Sequence, residues 1–316
     1  MTSLASDHKV DVASIERQLA ELWRAEKHDG ERAVTRAALW NVVAHTWDGR
    51  DQSHATEVLA RASAKVPQRT IVVKADPHGA SDIESWISAN CHLVGGGRQV
   101  CSEEVVIVAA GERVGHIPPL VSALLLPDMP VAVWWLGDLP HDREDYVDTL
   151  LGPADRLIVD SAHFNSASDL DVVWRIIEET TTAPADLNWA RLDEWRVATA
   201  ALFDPQPMRE RLRAIRHVKV FSGGDESFGA TSEALLYVAW LIAQTGTEMK
   251  FEFARRGDEP GICEIELHFD DTTATVRQDR RALAHEIENL IVRLLKYPEA
   301  DRVYLKTLNI ARRLAA

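Results

Sequence analysis

Two short apolar runs near the middle of the chain predict the centre of the fold. Residues 105–110 (VVIVAA) carry no charge, which is typical of a strand covered on both faces. Residues 116–126 then place isoleucine and leucine at helical spacing, with two prolines in the first turn, where proline is tolerated. A second uncharged run, residues 131–136, follows the turn-forming sequence PDMP. The order strand, helix, strand predicts a βαβ unit.

The same alternation of strands and helices continues on both sides of this unit. β-forming runs occupy residues 39–47, 70–75 and 156–159, and segments of helical spacing separate them. Residues 83–94 and 99–110 flank the three glycines Gly95 to Gly97 and predict a hairpin. We therefore expect an α/β N-terminal domain, built as an open mixed sheet with helices on its faces.

The pattern changes near residue 204. The sequence DPQP at residues 204–207 interrupts both periodicities, so we expect one domain over residues 1–204 and another over residues 205–316. The last predicted strands are separated by short turns, which favour antiparallel pairing. We expect a smaller α+β domain with an antiparallel sheet, whose elements are strands at 219–221, 248–254, 262–269 and 272–277 and helices at 232–244 and 281–297.

Three sequence motifs in the central segment resemble one known family. They are CSEE at residues 101–104, HIPP at residues 116–119 and LLLPDMPVAVWW at residues 124–135. In this order and spacing the segment resembles the OpcA family, the glucose-6-phosphate dehydrogenase assembly proteins, and the resemblance extends nearly from end to end. It implies a protein that associates with glucose-6-phosphate dehydrogenase, promotes its assembly and raises its activity. The resemblance thereby implies support for NADPH production in the oxidative pentose phosphate pathway.

Composition narrows the possible partners. The formal net charge of −14 argues against binding to nucleic acid or to an anionic membrane, because both require a basic surface. No run approaches the ~18 apolar residues of a membrane helix, and residues 1–11 show no apolar signal region. Three cysteines among 316 residues fit a reducing compartment, so we expect a cytoplasmic location. We expect no cofactor.

A glycine-rich stretch, residues 222–231 (SGGDESFGAT), is predicted to lie between a strand and a helix. Its glycine spacing is that of a phosphate-binding loop, but Ala230 stands where a lysine should reach the phosphates. Asp225 and Glu226 would also repel an anion. We favour a glycine-permitted turn that feeds a helix capped by Thr231 or Ser232, and keep a ligand loop as the alternative. The residues of that candidate loop are Ser222, Gly223, Gly224, Gly229 and Thr231.

Two cysteines face each other if the predicted hairpin forms. Counting back from Gly96 places Cys91 directly opposite Cys101, and facing β-carbons in a sheet are ~4.5–5.5 Å apart, near the reach of a disulfide. The two thiols are either buried and free, which is the commoner outcome, or form a reversible disulfide. His92 and His116 could add metal ligands, but no Cys-x-x-Cys pair anchors such a site.

A second incomplete metal motif lies near the C-terminus. His285 and Glu286 resemble the start of a zinc-protease helix, but Asn289 replaces the second histidine, and an amide oxygen is a poor zinc ligand. We therefore interpret His285 and Glu286 as the polar edge of a helix whose other face is core.

Two features could contact a partner. Arg209, Arg213 and Arg216 follow helical spacing and predict a basic stripe on an acidic protein, which is either a solvated face or a partner contact. Trp134 and Trp135 are adjacent in a predicted strand, so their side chains point to opposite faces. We expect both to be core, with a partner contact as the alternative.

Missing motifs favour a function without catalysis. The sequence has no complete nucleotide fingerprint, no Gly-x-Ser-x-Gly elbow and no set of metal ligands. We therefore expect a protein that acts by binding, and the resemblance specifies an assembly factor and allosteric activator of glucose-6-phosphate dehydrogenase. The alternative is an α/β enzyme or ligand-binding protein acting on a sugar phosphate or nucleotide, with a site near residues 222–231 and the three arginines.

Overall fold

The computed structural model describes residues 4–5, 11–28, 34–47, 52–94, 98–225, 227–278 and 286–316. The chain divides into two compact units, and both are discontinuous in sequence. Unit 1 comprises Met1–Ile158, Thr180–Ala183 and Ile287–Pro298. Unit 2 comprises Val159–Glu179, Pro184–Glu286 and Glu299–Ala316.

The larger sheet has nine strands within the described residues. They are β1 (Leu4–Ala5), β2 (Val34–Arg36), β3 (Trp40–Trp47), β4 (Gln68–Asp76), β5 (Asp82–Val94), β6 (Arg98–Ala110), β7 (Val131–Leu136), β8 (Arg156–Val159) and β9 (Ala183–Asp186). The spatial order is β1-β5-β6-β4-β3-β7-β8-β9, and β2 pairs with β6.

Strand directions confirm a mixed α/β sheet. β6, β4, β3, β7 and β8 pair in parallel, whereas β5 runs antiparallel to β6. The parallel strands β3, β4 and β7 are almost wholly buried, which explains the uncharged sequences of β3 and β7 and the apolar centre of β4. From β3 the chain moves to β4 and β6 on one side and later to β7 and β8 on the other. This order is that of a doubly wound α/β fold, with its topological switch point between β3 and β7.

Eleven α-helices accompany the two sheets in the described part of the chain. They are α1 (Val12–His28), α2 (Gln52–Ser63), α3 (Ile117–Leu124), α4 (Glu144–Leu151), α5 (Ser168–Glu179), α6 (Leu187–Arg191), α7 (Asp193–Leu202), α8 (Gln206–Arg209), α9 (Phe228–Thr245), α10 (Ile287–Lys296) and α11 (Arg302–Ala315). In unit 1, α2 packs on β4 and on α10. In unit 2, α9 packs against α11 and against the smaller sheet.

The smaller sheet consists of β10 (His217–Gly223), β11 (Lys250–Arg255), β12 (Gly261–His268) and β13 (Thr273–Arg277). Its order is β11-β10-β12-β13. The pairs β10–β12 and β12–β13 are antiparallel, but β10 and β11 are parallel. The expectation of a purely antiparallel sheet is therefore wrong for one pair. The long helix α9 connects β10 to β11, and such a crossover returns the chain in the same direction.

The predicted domain boundary falls inside unit 2. Residues 204–207 lie between α7 and α8, which both belong to that unit. The structure divides the chain elsewhere because α5 belongs to unit 2, whereas α10 returns to unit 1 and packs on α2. A sequence reading that looks for one break cannot find a division of this kind.

Candidate functional site

A cleft of about 750 Å³ lies within unit 2. The segments that line this cleft are far apart in the sequence. The lining residues are Ala162, His163, Asn188, Arg191, Trp195, Gly224, Asp225, Ser227, Gly229, Ala230, Glu233, Asp258, Glu259, Pro260, Gly261 and Ile262. Its volume is within the ~300–1,000 Å³ typical of ligand pockets.

One wall of the cleft is the turn between β10 and α9. The turn passes through Gly224 at φ +104°, a conformation that L side chains rarely adopt. Helix α9 then begins at Phe228, and Ser227 is its N-cap, because Ser227 Oγ accepts a hydrogen bond from Ala230 N. The predicted caps Thr231 and Ser232 are therefore wrong. The helix begins earlier than its apolar pattern indicates.

Two glycines in this turn allow close backbone approaches. A β-carbon at Gly229 would lie 2.2 Å from the carbonyl oxygen of Ala162, and one at Gly223 would lie 2.1 Å from that of Glu259. Both glycines are thus required by packing. Of the predicted ligand loop, Gly224 and Gly229 line the cleft, whereas Ser222, Gly223 and Thr231 are not among its lining residues. Thr231 Oγ1 donates instead to the carbonyl of Phe228.

Buried polar side chains next to the cleft form a network of hydrogen bonds. The Arg191 guanidinium donates two hydrogen bonds of 2.7 Å to the carboxylate of Asp160, which directly follows β8. Burial alone would lower the pKa of Arg191, but the hydrogen bonds and charge of Asp160 outweigh it and raise that pKa. In this bidentate pair, the carboxylate of Asp160 neutralises the positive charge of Arg191.

Asp186, the last residue of β9, belongs to the same network. Its Oδ1 accepts hydrogen bonds from the backbone N–H groups of Ser161 and Asn188, at 3.1 and 2.9 Å, and so caps α6. Burial, together with the negative charge of Asp160, raises the pKa of Asp186 to about 6. This carboxyl group therefore titrates closer to neutral pH than an ordinary aspartate does.

The charge of the cleft disfavours anions. Its lining residues carry four carboxylates, Asp225, Glu233, Asp258 and Glu259, against the single guanidinium of Arg191. Hydrogen bonds from the Ser227 side chain and backbone lower the pKa of Asp225, which keeps that residue ionised. Phosphate groups would meet electrostatic repulsion here. Glu226 lies outside the described residues.

The fold itself implies a second candidate site, at the switch point of the larger sheet. Doubly wound sheets bind dinucleotides outside the carboxyl ends of the strands at this position. Here the carboxyl end of β3 carries His45 and Trp47, and the carboxyl end of β7 carries Trp135. The His45 ring stacks on Trp135 with centroids 4.1 Å apart. His45 Nε2 also lies 2.9 Å from the hydroxyl of Tyr146 in α4.

This aromatic cluster, His45, Trp47, Trp135 and Tyr146, does not fit a dinucleotide. Burial lowers the pKa of His45 to about 3, so its ring is neutral and offers no charge to a phosphate. The sequence after β3 reads DGRDQS, which lacks the glycine fingerprint and contains two aspartates. The residues present are those of a packed core, and a nicotinamide cofactor has no matching contacts among them.

The two cysteines of the predicted hairpin are joined by a disulfide. Cys91 and Cys101 are directly paired in the β5–β6 ladder, as the count from Gly96 predicts. The favoured interpretation of two free thiols is wrong in this structure, because the facing positions bring the sulfur atoms within bonding reach. Gly95, Gly96 and Gly97 lie outside the described residues.

The three arginines do not form a helical stripe. Arg209 ends the short helix α8, Arg213 lies in a 3₁₀ turn, and Arg216 directly precedes β10. Pro205 and Pro207 lie at the start of α8, where proline is tolerated, and the helix ends after one turn at Arg209, before the chain enters the smaller sheet. All three side chains are exposed, and Arg216 pairs with Asp270. Their role as a partner contact stays a prediction.

Both adjacent tryptophans belong to the core. Trp134 is 2% exposed and Trp135 is fully buried, with its indole N–H donating to the carbonyl of Asp138. Because β7 is buried on both faces, both indole rings lie in the core. In this structure they present no surface that a partner could contact.

The structure shows no group of three or more potential metal ligands among the residues it describes, and His285 lies outside them. Within the same residues, no helix has the length and apolarity needed to cross a membrane. The buried residues Asp160, Asp186 and Asn188 were missed by sequence reasoning. A signal was available for one of them, since Asp160 directly follows the short predicted strand at residues 156–159.

Fold and site together define an α/β protein with an acidic cleft in unit 2. Two family models match the chain. The model described as the glucose-6-phosphate dehydrogenase subunit N-terminal domain matches residues 59–173, and the corresponding C-terminal domain model matches residues 182–308. Together these matches span well over half of the sequence. The chain belongs to the OpcA family.

Cyanobacterial relatives carry the provisional name OxPP cycle protein OpcA. The protein of Synechococcus elongatus is 23% identical over 338 residues, covering 86% of this chain and 75% of the relative. The protein of Synechocystis sp. is 28% identical over 207 residues, covering 64% of this chain and 41% of the relative. This second alignment thus spans less than half of the Synechocystis protein.

Solved structures share the general arrangement only distantly. Biliverdin reductase of Synechocystis sp., solved with biliverdin and NADP⁺, is 8% identical and has a TM-score of 0.44. The alignment covers 88% of this chain and 98% of the reductase. At this TM-score the similarity supports no conclusion on activity.

Proposed function

We propose that this chain is a non-catalytic assembly factor and allosteric activator of glucose-6-phosphate dehydrogenase, supporting NADPH production in the oxidative pentose phosphate pathway. The observation that carries the proposal is the pair of family matches, which cover residues 59–173 and 182–308 and are both described as domains of a glucose-6-phosphate dehydrogenase subunit. The name OxPP cycle protein, given to the cyanobacterial relatives, points to the same pathway.

The neutral, aromatic side chains at the switch point favour a supporting role over a catalytic one. A hydride-transferring enzyme of this fold needs an open crevice at the carboxyl ends of β3 and β7. In this chain the buried His45 ring near the carboxyl end of β3 stacks on Trp135 and forms a hydrogen bond with Tyr146. The chain would therefore act through binding alone.

Activation by binding has a simple thermodynamic basis. A factor that binds the active conformation or oligomer of an enzyme more tightly than the inactive one shifts the population by that difference in affinity. A tenfold preference corresponds to about 1.4 kcal/mol. No group on the activator needs to reach the reacting atoms.

The test is a titration of the purified chain into the dehydrogenase of the same organism. We expect no turnover from the chain alone, and a higher kcat or a lower KM for glucose 6-phosphate when the chain is added. The heat-unfolded chain at equal concentration is the control. An activity that stays flat at saturating amounts of folded chain, with no complex on gel filtration, would contradict the proposal.

The alternative function, action on a sugar phosphate or nucleotide, finds less support. Its predicted site contained residues 222–231 and the three arginines, but these arginines are not among the lining residues of the acidic cleft. Four carboxylates remain where a phosphate would have to bind. A thermal-shift screen with sugar phosphates and nucleotides tests it, and a concentration-dependent rise in melting temperature would favour this alternative.

A further inference from the structure

We propose that the outer edge of β11 binds the same edge of a second copy of this chain, so that the two β11 strands pair antiparallel about a two-fold axis. The inference rests on the topology and charge pattern of the smaller sheet. It does not depend on which enzyme the chain assists.

β11 is an end strand of the smaller sheet. The order β11-β10-β12-β13 gives it one neighbouring strand, β10, within the described part of the chain. Lys250 N donates to the carbonyl of Arg216 at 3.1 Å, and Arg256 N donates to that of Ser222 at 2.8 Å. Because backbone N–H groups point alternately to the two sides of a strand, the even-numbered amides of β11 face β10.

The odd-numbered amides of β11 therefore point away from the sheet. The N–H groups of Phe251, Phe253 and Arg255 have no acceptor on that side among the residues that the structure describes. The strand contains no proline, and its six residues pair with β10 without a register shift. A regular, unpaired strand edge of this kind is a template for pairing with another strand.

One face of this edge carries two aromatic rings that are only partly covered. Phe251 and Phe253 lie opposite Val218 and Val220 of β10, which are fully buried, so all four side chains lie on the same face of the sheet. The two phenylalanines are half-buried, and their ring centroids are 5.3 Å apart. A further strand that adds its own apolar side chains on this face would cover them.

The other face of β11 carries a cation and an anion two residues apart. Lys250 and Glu252 are both exposed, and Lys219 Nζ lies 2.8 Å from the carboxylate of Glu252. A two-fold axis through Phe251 sets Lys250 of each copy opposite Glu252 of the other. These are non-hydrogen-bonded pairs, in which the Cα atoms are ~4.5 Å apart and the side chains are closest. Opposite charges therefore meet twice across the axis.

Charge distinguishes this register from the neighbouring ones. An axis through Glu252 would set that residue opposite its own copy, and an axis through Lys250 would do the same for the lysine. An axis through Phe253 would set Lys250 opposite Arg256. Like charges directly opposite each other destabilise a strand pair. β11 is thus complementary to itself in one register, which favours a second copy of this chain as the occupant of the edge.

The experiment is sedimentation velocity of the full chain over a range of concentrations, with the single variants Lys250→Glu and Glu252→Lys. The first variant sets glutamate opposite glutamate, and the second sets lysine opposite lysine. An equimolar mixture of the two variants restores opposite charges at both positions of a mixed dimer. Lys296→Glu and Glu21→Lys change the net charge in the same way at exposed positions of unit 1 and are the matched controls. Circular dichroism melting curves confirm that all variants are folded.

We expect the unmodified chain to dimerise and each β11 variant to weaken the dimer by about tenfold, or about 1.4 kcal/mol. The mixture should dimerise more tightly than either variant alone, and the two control variants should match the unmodified chain. Hydrogen exchange should show protection of the Phe251 and Phe253 amides that grows with the concentration of the unmodified chain. This protection should be weaker in Lys250→Glu at equal concentration.

Four results would overturn the proposal. The first is an unmodified chain that stays monomeric at its highest soluble concentration. A dimer that Lys250→Glu does not weaken would place the contact elsewhere, and a mixture no tighter than the single variants would exclude this register. Protection of the β11 amides in a monomeric chain, seen only after the dehydrogenase is added, would assign the edge to the enzyme instead.

Discussion

At the scale of single residues, Gly229 lies in the first turn of α9 at a position where any side chain would clash with the backbone. Alanine normally favours a helix over glycine by at most ~1 kcal/mol, but here its β-carbon would lie 2.2 Å from the Ala162 carbonyl oxygen. The clash should dominate, because the atom in the way belongs to the backbone and cannot rotate aside. We predict that Gly229→Ala lowers the free energy of unfolding by about 1–3 kcal/mol, measured by urea denaturation.

A matched control exists in unit 1. A β-carbon at Gly115 would meet nothing within 4 Å, so Gly115→Ala should leave stability nearly unchanged. If both variants were equally stable, the close approach at Gly229 would be incorrect.

Asp186 makes a prediction on pH. Its pKa is raised from 3.8 to about 6 in the folded chain, chiefly by burial, so the folded state holds this proton more tightly than the unfolded state does. The contribution of this group to stability is therefore present below pH ~4 and is lost as pH rises through ~6, by about 3 kcal/mol. Asp186→Asn removes this titration while keeping an amide oxygen as the acceptor for the α6 cap.

Urea denaturation of both proteins between pH 4 and 7.5 measures the effect. The stability of Asp186→Asn relative to the unmodified chain should improve as the pH rises from 4 through about 6 and then level off. A difference that does not change with pH would show that Asp186 is ionised throughout.

At the scale of elements, the β5–β6 hairpin is covalently closed by Cys91 and Cys101, which are ten residues apart in sequence. A link of this span removes chain entropy from the unfolded state worth about 2–3 kcal/mol. We predict that Cys91→Ser, Cys101→Ser lowers the free energy of unfolding by that amount relative to the oxidised chain, and that dithiothreitol lowers the stability of the unmodified chain similarly.

The third cysteine provides the control for the hairpin. Cys263 is free, so Cys263→Ser should keep the full response to dithiothreitol. An unmodified chain whose unfolding midpoint ignores dithiothreitol would contradict the prediction.

The elements that the sequence predicts correctly share one property. Their pattern of apolar residues matches the burial that each element has in the folded chain. β3, β7 and the centre of β4 are largely apolar because both faces are buried, and the β5–β6 register follows from counting across a short loop. The sequence predicts that α9 begins later than it does, because its first turn, FGAT, contains a glycine and directly follows the glycine-rich loop. The parallel β10–β11 pair and the buried contacts of Asp160 depend on segments far apart in sequence, which a periodicity cannot relate.

At the scale of the whole molecule, association with the dehydrogenase needs a surface, and the exposed arginines Arg209, Arg213 and Arg216 remain our prediction for it. Arginine is enriched at interfaces, and positive charge would steer the chain toward an acidic partner surface. We predict that replacing all three with glutamate weakens dehydrogenase binding at least ~tenfold, or about 1.4 kcal/mol, and that the loss shrinks in high salt.

The dissociation constant at two salt concentrations measures this effect, with circular dichroism as the folding control. The matched variant replaces Arg17, Arg113 and Arg302 with glutamate, which changes the net charge equally at other exposed positions. Equal affinities for the two variants would leave the first three arginines as solvated residues.

The discontinuous division of the chain also bears on how the protein is made. Unit 1 needs α10, at Ile287–Lys296, to cover α2, and a ribosome releases that helix only after nearly all of the chain has been synthesised. Unit 1 therefore lacks α10 while most of unit 2 is being translated. A gene fragment that stops at residue 204 would encode neither unit whole, so chaperone dependence during translation is a natural expectation for this fold.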